Sequence, residues 1–143
     1  MSKELELDLE GIINYIKIRY PVLMIDGAKV FPGERATGYK MLTYNELFWQ
    51  GHYPEYPIMP GTYQLEALAQ LFSLTFLTQQ ESDTVPKLAG FENVRFYKEV
   101  KPGCRLDLEA ELKSNRRGLV KGEAKAFVDG EIVCSAEMKT VIR

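Results

Sequence analysis

Histidine is almost missing from this chain: among 143 residues there is one, His52. Cysteine is nearly as scarce, with only Cys104 and Cys134, too far apart for a metal-ligand cluster. A structural zinc site would therefore lack ligands, and reduced thiols are expected with no metal and no other cofactor. Neither sign of charge is in excess, since 18 basic and 20 acidic side chains leave a net charge of −2. Without a global basic field, nucleic acid is not an expected partner. Long hydrophobic runs are missing as well. The longest, Leu65 to Leu77, contains Glu66 and Gln70 and falls short of the ~20 residues of a membrane span. Met1 to Glu6 offers neither a basic n-region nor an apolar h-region, so no cleaved signal is expected and a cytoplasmic location is.

What the chain does contain is an ordinary globular composition, 45% hydrophobic and 27% charged, which argues against disorder. Its length suits one domain, residues 1–143, with a substantial core and no room for a second. No internal repeat or low-complexity tract interrupts it.

The sole histidine sits in Phe48-Trp49-Gln50-Gly51-His52-Tyr53-Pro54-Glu55-Tyr56-Pro57-Ile58-Met59-Pro60-Gly61. Pro54, Pro57 and Pro60 each fix φ and restrict the residue before them, so this stretch is a stiff loop rather than regular helix. From Gly61 to Thr78 the residues are apolar nearly all round and good helix formers, the pattern of a buried helix. Pro60 and Gly61 stand at its start, where first-turn N–H groups have no intrahelical acceptor. Glu66 interrupts the apolar run and shares a face with Thr62, Tyr63, Gln70 and Ser73. A carboxylate isolated in apolar surroundings tends to become neutral, making Glu66 a candidate proton donor. The alternative is an ordinary buried acid satisfied by Tyr63 or Gln70.

Around this centre, helical spacing of Leu7, Leu9, Ile12, Ile13 and Ile16 predicts a short amphipathic helix over Leu7 to Lys17, ended at Tyr20-Pro21. Val22 to Val30 reads as a strand, Pro32-Gly33 as a turn, and Ala36 to Leu42 as a second strand. Thr43 and Glu46 have capping-box spacing for a brief helical turn. Gln79 to Pro86 reads as a polar surface break. Four strands then follow: Leu88 to Val100, Arg105 to Ser114, Leu119 to Val128 and Glu131 to Ile142. Pro102-Gly103, Asn115 to Gly118, and Asp129-Gly130 separate them, predicting three consecutive antiparallel pairings. Alternation of Leu106, Leu108, Ala110 and Leu112 with charged residues gives one buried and one wet face. The class is α+β, a curved antiparallel sheet over one long apolar helix.

Three separated pieces, Gln50-Gly51-His52-Tyr53-Pro54, Pro57-Ile58-Met59-Pro60-Gly61 and Leu65-Glu66-Ala67-Leu68-Ala69-Gln70, resemble in order and spacing the active-site signature of the FabZ-type (3R)-hydroxyacyl-[acyl carrier protein] dehydratases, which have the hot-dog fold. Leu88 to Phe96 and Val100-Lys101-Pro102-Gly103 extend the resemblance over nearly the whole chain. It implies dehydration of a (3R)-3-hydroxyacyl thioester to the trans-2-enoyl thioester, with His52 as base, Glu66 as proton donor and the Gly61 N–H steadying the thioester oxygen. Tyr53, Pro60, Thr62, Tyr63 and Gln70 are the candidate substrate-binding residues. It also implies an acyl carrier protein as partner and an obligate homodimer, commonly a trimer of dimers, with His and Glu from different subunits. Lys98, Lys101, Arg116, Arg117 and Lys121 are candidate docking cations for that acidic partner, or simply a solvated charged face.

The chain departs from the family pattern in places. Ile18 stands where the family has histidine before Arg19-Tyr20-Pro21. Tyr53, Glu55 and Tyr56 replace Phe, Gly and His in the loop, and Thr62, Tyr63 and Gln64 replace aliphatic residues in the first helical turn. A changed acyl preference or a specialised relative is the reading these carry. Other hot-dog thioester enzymes, a thioesterase or coenzyme A ester hydratase, and a non-catalytic acyl-binding subunit are the competing classes.

Overall fold

A computed structural model describes residues 3–79 and 84–142. The chain opens with a short strand β1, Leu5–Leu7, before helix α1, Leu9–Tyr15. The expected helix over Leu7 to Lys17 is thus shorter at both ends. Leu5 and Leu7 pair with Val30 and Ala28 instead of joining the helix, and Asp8 caps it by accepting from the Gly11 N–H at 2.8 Å. At the other end the Arg19 guanidinium donates to the carbonyls of Ile13 (3.1 Å), Ile16 (2.6 Å) and Ile18 (3.0 Å). The Ile13 and Ile16 carbonyls are at the end of α1, where no intrahelical donor remains, so Arg19 rather than Pro21 closes the helix.

Strands β2 (Gly27–Phe31) and β3 (Arg35–Leu42) form a hairpin over Pro32-Gly33, with Gly33 at φ 80° as the turn requires. The strand expected from Val22 begins only at Gly27. Its first half finds its hydrogen bonds on a side chain: the Met24 N–H donates to Gln70 Oε1 (2.7 Å), and Gln70 Nε2 donates to the Val22 carbonyl (2.8 Å). A helical turn α2, Phe48–Gly51, and the long helix α3, Gly61–Leu77, come next. The loop read as non-helical from Phe48 therefore contains one helical turn before the prolines begin. The expected polar break between Gln79 and Pro86 lies largely outside the described residues, at 80–83.

The remaining strands are β4 (Lys87–Phe96), β5 (Cys104–Arg116), β6 (Leu119–Val128) and β7 (Glu131–Val141). Two of the three expected pairings form, β5 with β6 and β6 with β7. Their hairpins turn on Arg117-Gly118 and Asp129-Gly130, with positive φ at all four residues. The third expected pairing, β4 with β5, does not form. β4 pairs with β7 and β5 with β3, so that the antiparallel sheet runs β1-β2-β3-β5-β6-β7-β4. Residues 97–103 are too long for a tight hairpin and instead cross between distant strands. Three backbone hydrogen bonds hold the crossing: Tyr97 N–H to Val133 O (2.8 Å), Met59 N–H to Val100 O (2.8 Å) and Gly103 N–H to Leu42 O (2.7 Å).

The sheet curves around α3 in the hot-dog arrangement. Phe72, Phe76, Leu68 and Leu71 of the helix are fully buried against small inward residues of the sheet, among them Ala124, Ala126 and Ala136. Gly122 is part of this complementarity, because a Cβ there would collide with the Phe72 ring and the Glu111 carbonyl. Large on the helix meets small on the sheet, and α3 is buried without a break from Gln70 to Leu77 while Thr62 and Tyr63 at its start are exposed. Both thiols are free, and burial pushes that of Cys134 up to about 11, so at neutral pH it is packing rather than a nucleophile.

Candidate active site

His52 follows the turn of α2 as its C-cap, its N–H bonded to Phe48 O at 3.0 Å. Beyond it the proline loop folds back on itself. Tyr53 and Tyr56 exchange N–H to carbonyl bonds of 3.0 Å, and the Ile58 N–H donates to His52 O at 2.9 Å. The imidazole completes this ladder, with Nδ1 3.0 Å from Ile58 O. A carbonyl oxygen only accepts, so Nδ1 carries a proton, and in the neutral ring the lone pair is then on Nε2. The ring is also stacked on Tyr53, at 4.2 Å between centroids. The bond fixes the orientation of the His52 ring and leaves Nε2 as the nitrogen not engaged by its own loop.

The pocket beside it, about 540 Å³, is lined by His52, Ile58 to Thr62, Gln64, Phe96 at the end of β4 and residues 97–99 of the crossing segment. Pro60 caps α3 with ψ 136°, outside the helical range, and turns the chain directly into the helix at Gly61. Gly61 is needed for closeness: a Cβ there would stand 2.7 Å from the Phe96 ring. Its N–H lies in the first turn of α3, where no intrahelical acceptor exists and the helix dipole is positive. One pocket therefore presents an acceptor, His52 Nε2, and a backbone donor at a helix N-terminus.

Glu66 is elsewhere. Two residues beyond Gln64, it is turned roughly 200° around α3, and it lines a separate pocket of about 780 Å³ with Tyr20 to Met24, Lys40, Glu46, Phe48 and Tyr63. The buried acid expected from the apolar run is only half-buried in a single protomer, because this flank of α3 faces an open pocket rather than the sheet. It accepts a hydrogen bond from Gln70 Nε2 at 2.8 Å. Lys40, in the same pocket, is held between Asp26 and Glu46 at 3.5 Å from each.

The candidate substrate-binding residues divide accordingly. Pro60 and Thr62 line the His52 pocket; Thr62 and Tyr63 line the Glu66 pocket, where Tyr63 packs edge-on to Phe48. Tyr53 is exposed and backs the imidazole. Gln70 is 2% exposed, and its oxygen and both N–H groups are spent on Met24, Val22 and Glu66. Its place is behind Glu66, holding the carboxylate and the 22–24 segment, which makes it a positioning residue. Replacing Gln70 with Leu strands the Met24 N–H and Val22 carbonyl, and a stability loss of about 2–4 kcal/mol is expected in chemical denaturation.

Sequence reasoning missed two parts of the site. The pocket-lining start of the crossing segment, Tyr97 to Glu99, has no local signal, because a crossover is a tertiary event. Gln64 was visible only as a polar residue in the first turn; it is 3% exposed and lines the His52 pocket.

A curved sheet around one helix, with a histidine loop and a glycine at the helix N-terminus, defines a hot-dog protein of the dehydratase type. A family model described as a FabA-like domain matches residues 17–137. FabZ 3-hydroxyacyl-[acyl-carrier-protein] dehydratases of Bacillus velezensis and Bacillus subtilis are 45% and 44% identical to the chain over 134 residues, covering 92% of it and 95% of each relative. Among solved structures, the ApeI:P dehydratase heterocomplex of Xenorhabdus doucetiae superposes with a TM-score of 0.80 at 15% identity, over 92% of this chain and 90% of that one. An uncharacterized protein of Pyrococcus horikoshii does so with a TM-score of 0.73 at 17% identity, over 97% and 95%. These two share the fold. The chain belongs to the FabA-like family, among the FabZ 3-hydroxyacyl-[acyl carrier protein] dehydratases.

Proposed function

We propose that the protein removes water from (3R)-3-hydroxyacyl-[acyl carrier protein], giving the trans-2-enoyl thioester, in fatty acid synthesis or a related lipid pathway. The observation that carries the reading is His52, its ring oriented by the Nδ1 bond to Ile58 O, in the same pocket as the Gly61 N–H at the start of α3. The thioester oxygen accepts from Gly61, where the charge developing on it is met by a donor and the positive end of the helix. Nε2 takes the C2 proton. The C3–O bond breaks as the hydroxyl receives a proton from Glu66, the C2=C3 double bond forms, and water leaves.

His52 and Glu66 face opposite sides of α3, so one protomer holds two half-sites and no whole one. A homodimer completes them, each His52 pocket receiving Glu66 of the partner subunit, which also finishes the burial that a single protomer leaves undone. β4 supports this: it is a ten-residue edge strand, and Leu88 and Phe96 on it are exposed. A long free edge of that kind normally finds a partner. Assembly of three such dimers is part of the same proposal, and sedimentation velocity tests it.

The acyl carrier protein is the expected partner. Lys98 lines the His52 pocket and Lys101 stands over the ring of Tyr56 in the loop that follows His52, although Lys98 also meets Glu131. Arg116 and Arg117 are at the β5–β6 hairpin and Lys121 is on β6, farther along the sheet. Docking is therefore assigned to Lys98 and Lys101. A cytoplasmic location accompanies the proposal; among the described residues no helix is long and apolar enough to cross a membrane.

The test is to incubate the purified protein with short-chain and long-chain 3-hydroxyacyl-[acyl carrier protein] and follow the 2-enoyl thioester by mass spectrometry. Interconversion is expected. Release of free acid would move the protein to the thioesterases, and activity confined to coenzyme A esters would make it a hydratase of those. An unchanged substrate would leave an acyl-binding subunit.

A further inference from the structure

β4 carries one residue more than its partner strand. Phe91 stands opposite Met138 and Glu92 opposite Glu137, but the next matched pairs are Arg95 with Ser135 and Phe96 with Cys134. Asn93 and Val94 together therefore face Ala136 alone, which is a β-bulge. Residues opposed across a pair share a face, and Met138, Ala136 and Cys134 are buried in the core. With the bulge, Phe91, Val94 and Phe96 take that same inward face. In unbroken alternation from Phe91 it would receive Asn93 and Arg95 instead, and Phe96 would turn outward.

Asn93 makes the extra residue possible. Its φ is 52°, and among the described residues it is the one non-glycine residue of positive φ outside a hairpin turn, since Arg117 and Asp129 serve the β5–β6 and β6–β7 turns. Asparagine enters that region more readily than most side chains. Its Nδ2 also donates to Glu137 across the strand pair. What the bulge delivers is Phe96. The ring packs on Gly61 so closely that no Cβ fits between them, and it lines the pocket that holds His52.

We propose that Asn93 is a positioning residue for the dehydration: its left-handed backbone sets the phase of the end of β4, so that Phe96 lies on Gly61 and walls the pocket beside the N–H that receives the thioester oxygen. The inference rests on the dehydratase reading and adds to it a residue on the exposed edge strand, outside both half-sites. Phe96 acts by shape. It braces Gly61, which has no side chain to brace itself, and keeps an apolar wall next to the donor, where a hydrogen bond to developing charge is stronger than in water.

The experiment measures kcat/KM on (3R)-3-hydroxyhexanoyl-[acyl carrier protein] for Asn93→Gly, Asn93→Val, Phe96→Ala and the variant carrying both Asn93→Val and Phe96→Ala. NMR follows the ring-current shift that Phe96 imposes on the Gly61 resonances. Asn93→Gly, which adopts the same φ freely, is expected to retain activity within about twofold and to keep the shift. Asn93→Val is expected to lose about tenfold or more together with the shift, as Phe96→Ala does. The double variant should be no slower than Phe96→Ala, because both changes act through one contact. Equal losses in Asn93→Gly and Asn93→Val would assign the role to the Nδ2 bond with Glu137 and overturn the proposal. Full activity in Phe96→Ala, or losses that multiply in the double variant, would overturn it too. A dimer that dissociates on Asn93→Val in sedimentation would place Asn93 in the subunit contact, again against the proposal. If Asn93→Val does not fold, Asn93→Ala, with a smaller penalty at positive φ, takes its place in the cycle. Should the wild type dehydrate no hydroxyacyl substrate, the dehydratase reading fails separately, and the NMR comparison still decides whether Asn93 places Phe96 on Gly61.

Discussion

Changing His52 to Ala is expected to lower the dehydration rate by about 10²- to 10⁴-fold, the usual worth of a positioned general base, while leaving the fold and the oligomer intact. The two halves of that expectation come from different atoms. The chemistry depends on Nε2, and no other described side chain in that pocket is an imidazole, because the chain contains no second one. The fold depends on the main chain of the residue: its N–H to Phe48 O and its carbonyl from the Ile58 N–H survive in alanine. The Nδ1–H bond to Ile58 O and the stacking on Tyr53 are lost, together about 1–2 kcal/mol for a half-exposed ring. The measurements are single-turnover dehydration on the acyl carrier protein substrate and a denaturation curve. Near-normal turnover in this variant would remove His52 from the mechanism.

The fold and the site were legible to different depths, and the dividing line is locality. Prolines at 54, 57 and 60 act on their own neighbours, so the stiff loop and the start of α3 can be read from sequence. Paired positive-φ residues do the same for the turns at Asp129-Gly130 and Arg117-Gly118. The partner of β4 cannot be read this way. Pro102-Gly103 does mark a turn, but whether the chain then pairs with the strand it has left or with β3 is decided by the packing of α3 against the whole sheet. The strand expected at Val22 failed for a related reason, since Gln70, distant in sequence, takes its hydrogen bonds. Helical spacing put Gln70 on the face of Glu66, and the contact between them is there at 2.8 Å. Burial of Glu66 was inferred from apolar neighbours along the helix. That inference lacked the sheet's shape, which covers most of α3 and leaves this flank open.

The same open flank leads to the second large effect. Glu66→Gln keeps size and the hydrogen bond to Gln70 but removes the transferable proton, and a loss of about 10²-fold or more is expected. Alone, that result would not say which protomer's His52 it serves. Coexpressing His52→Ala and Glu66→Gln chains does. In a mixed dimer with shared sites, one site combines both substitutions and is dead, whereas the other joins His52 of one chain to Glu66 of the other and is intact. Random pairing makes about half the dimers mixed, so about a quarter of wild-type activity should return from two nearly inactive parents. If both residues acted within one protomer, every site in the mixture would carry a substitution and no activity would return. The geometry of α3 favours the first outcome: residues 64 and 66 point to opposite sides, so the Glu66 carboxylate faces away from the His52 pocket of its own chain.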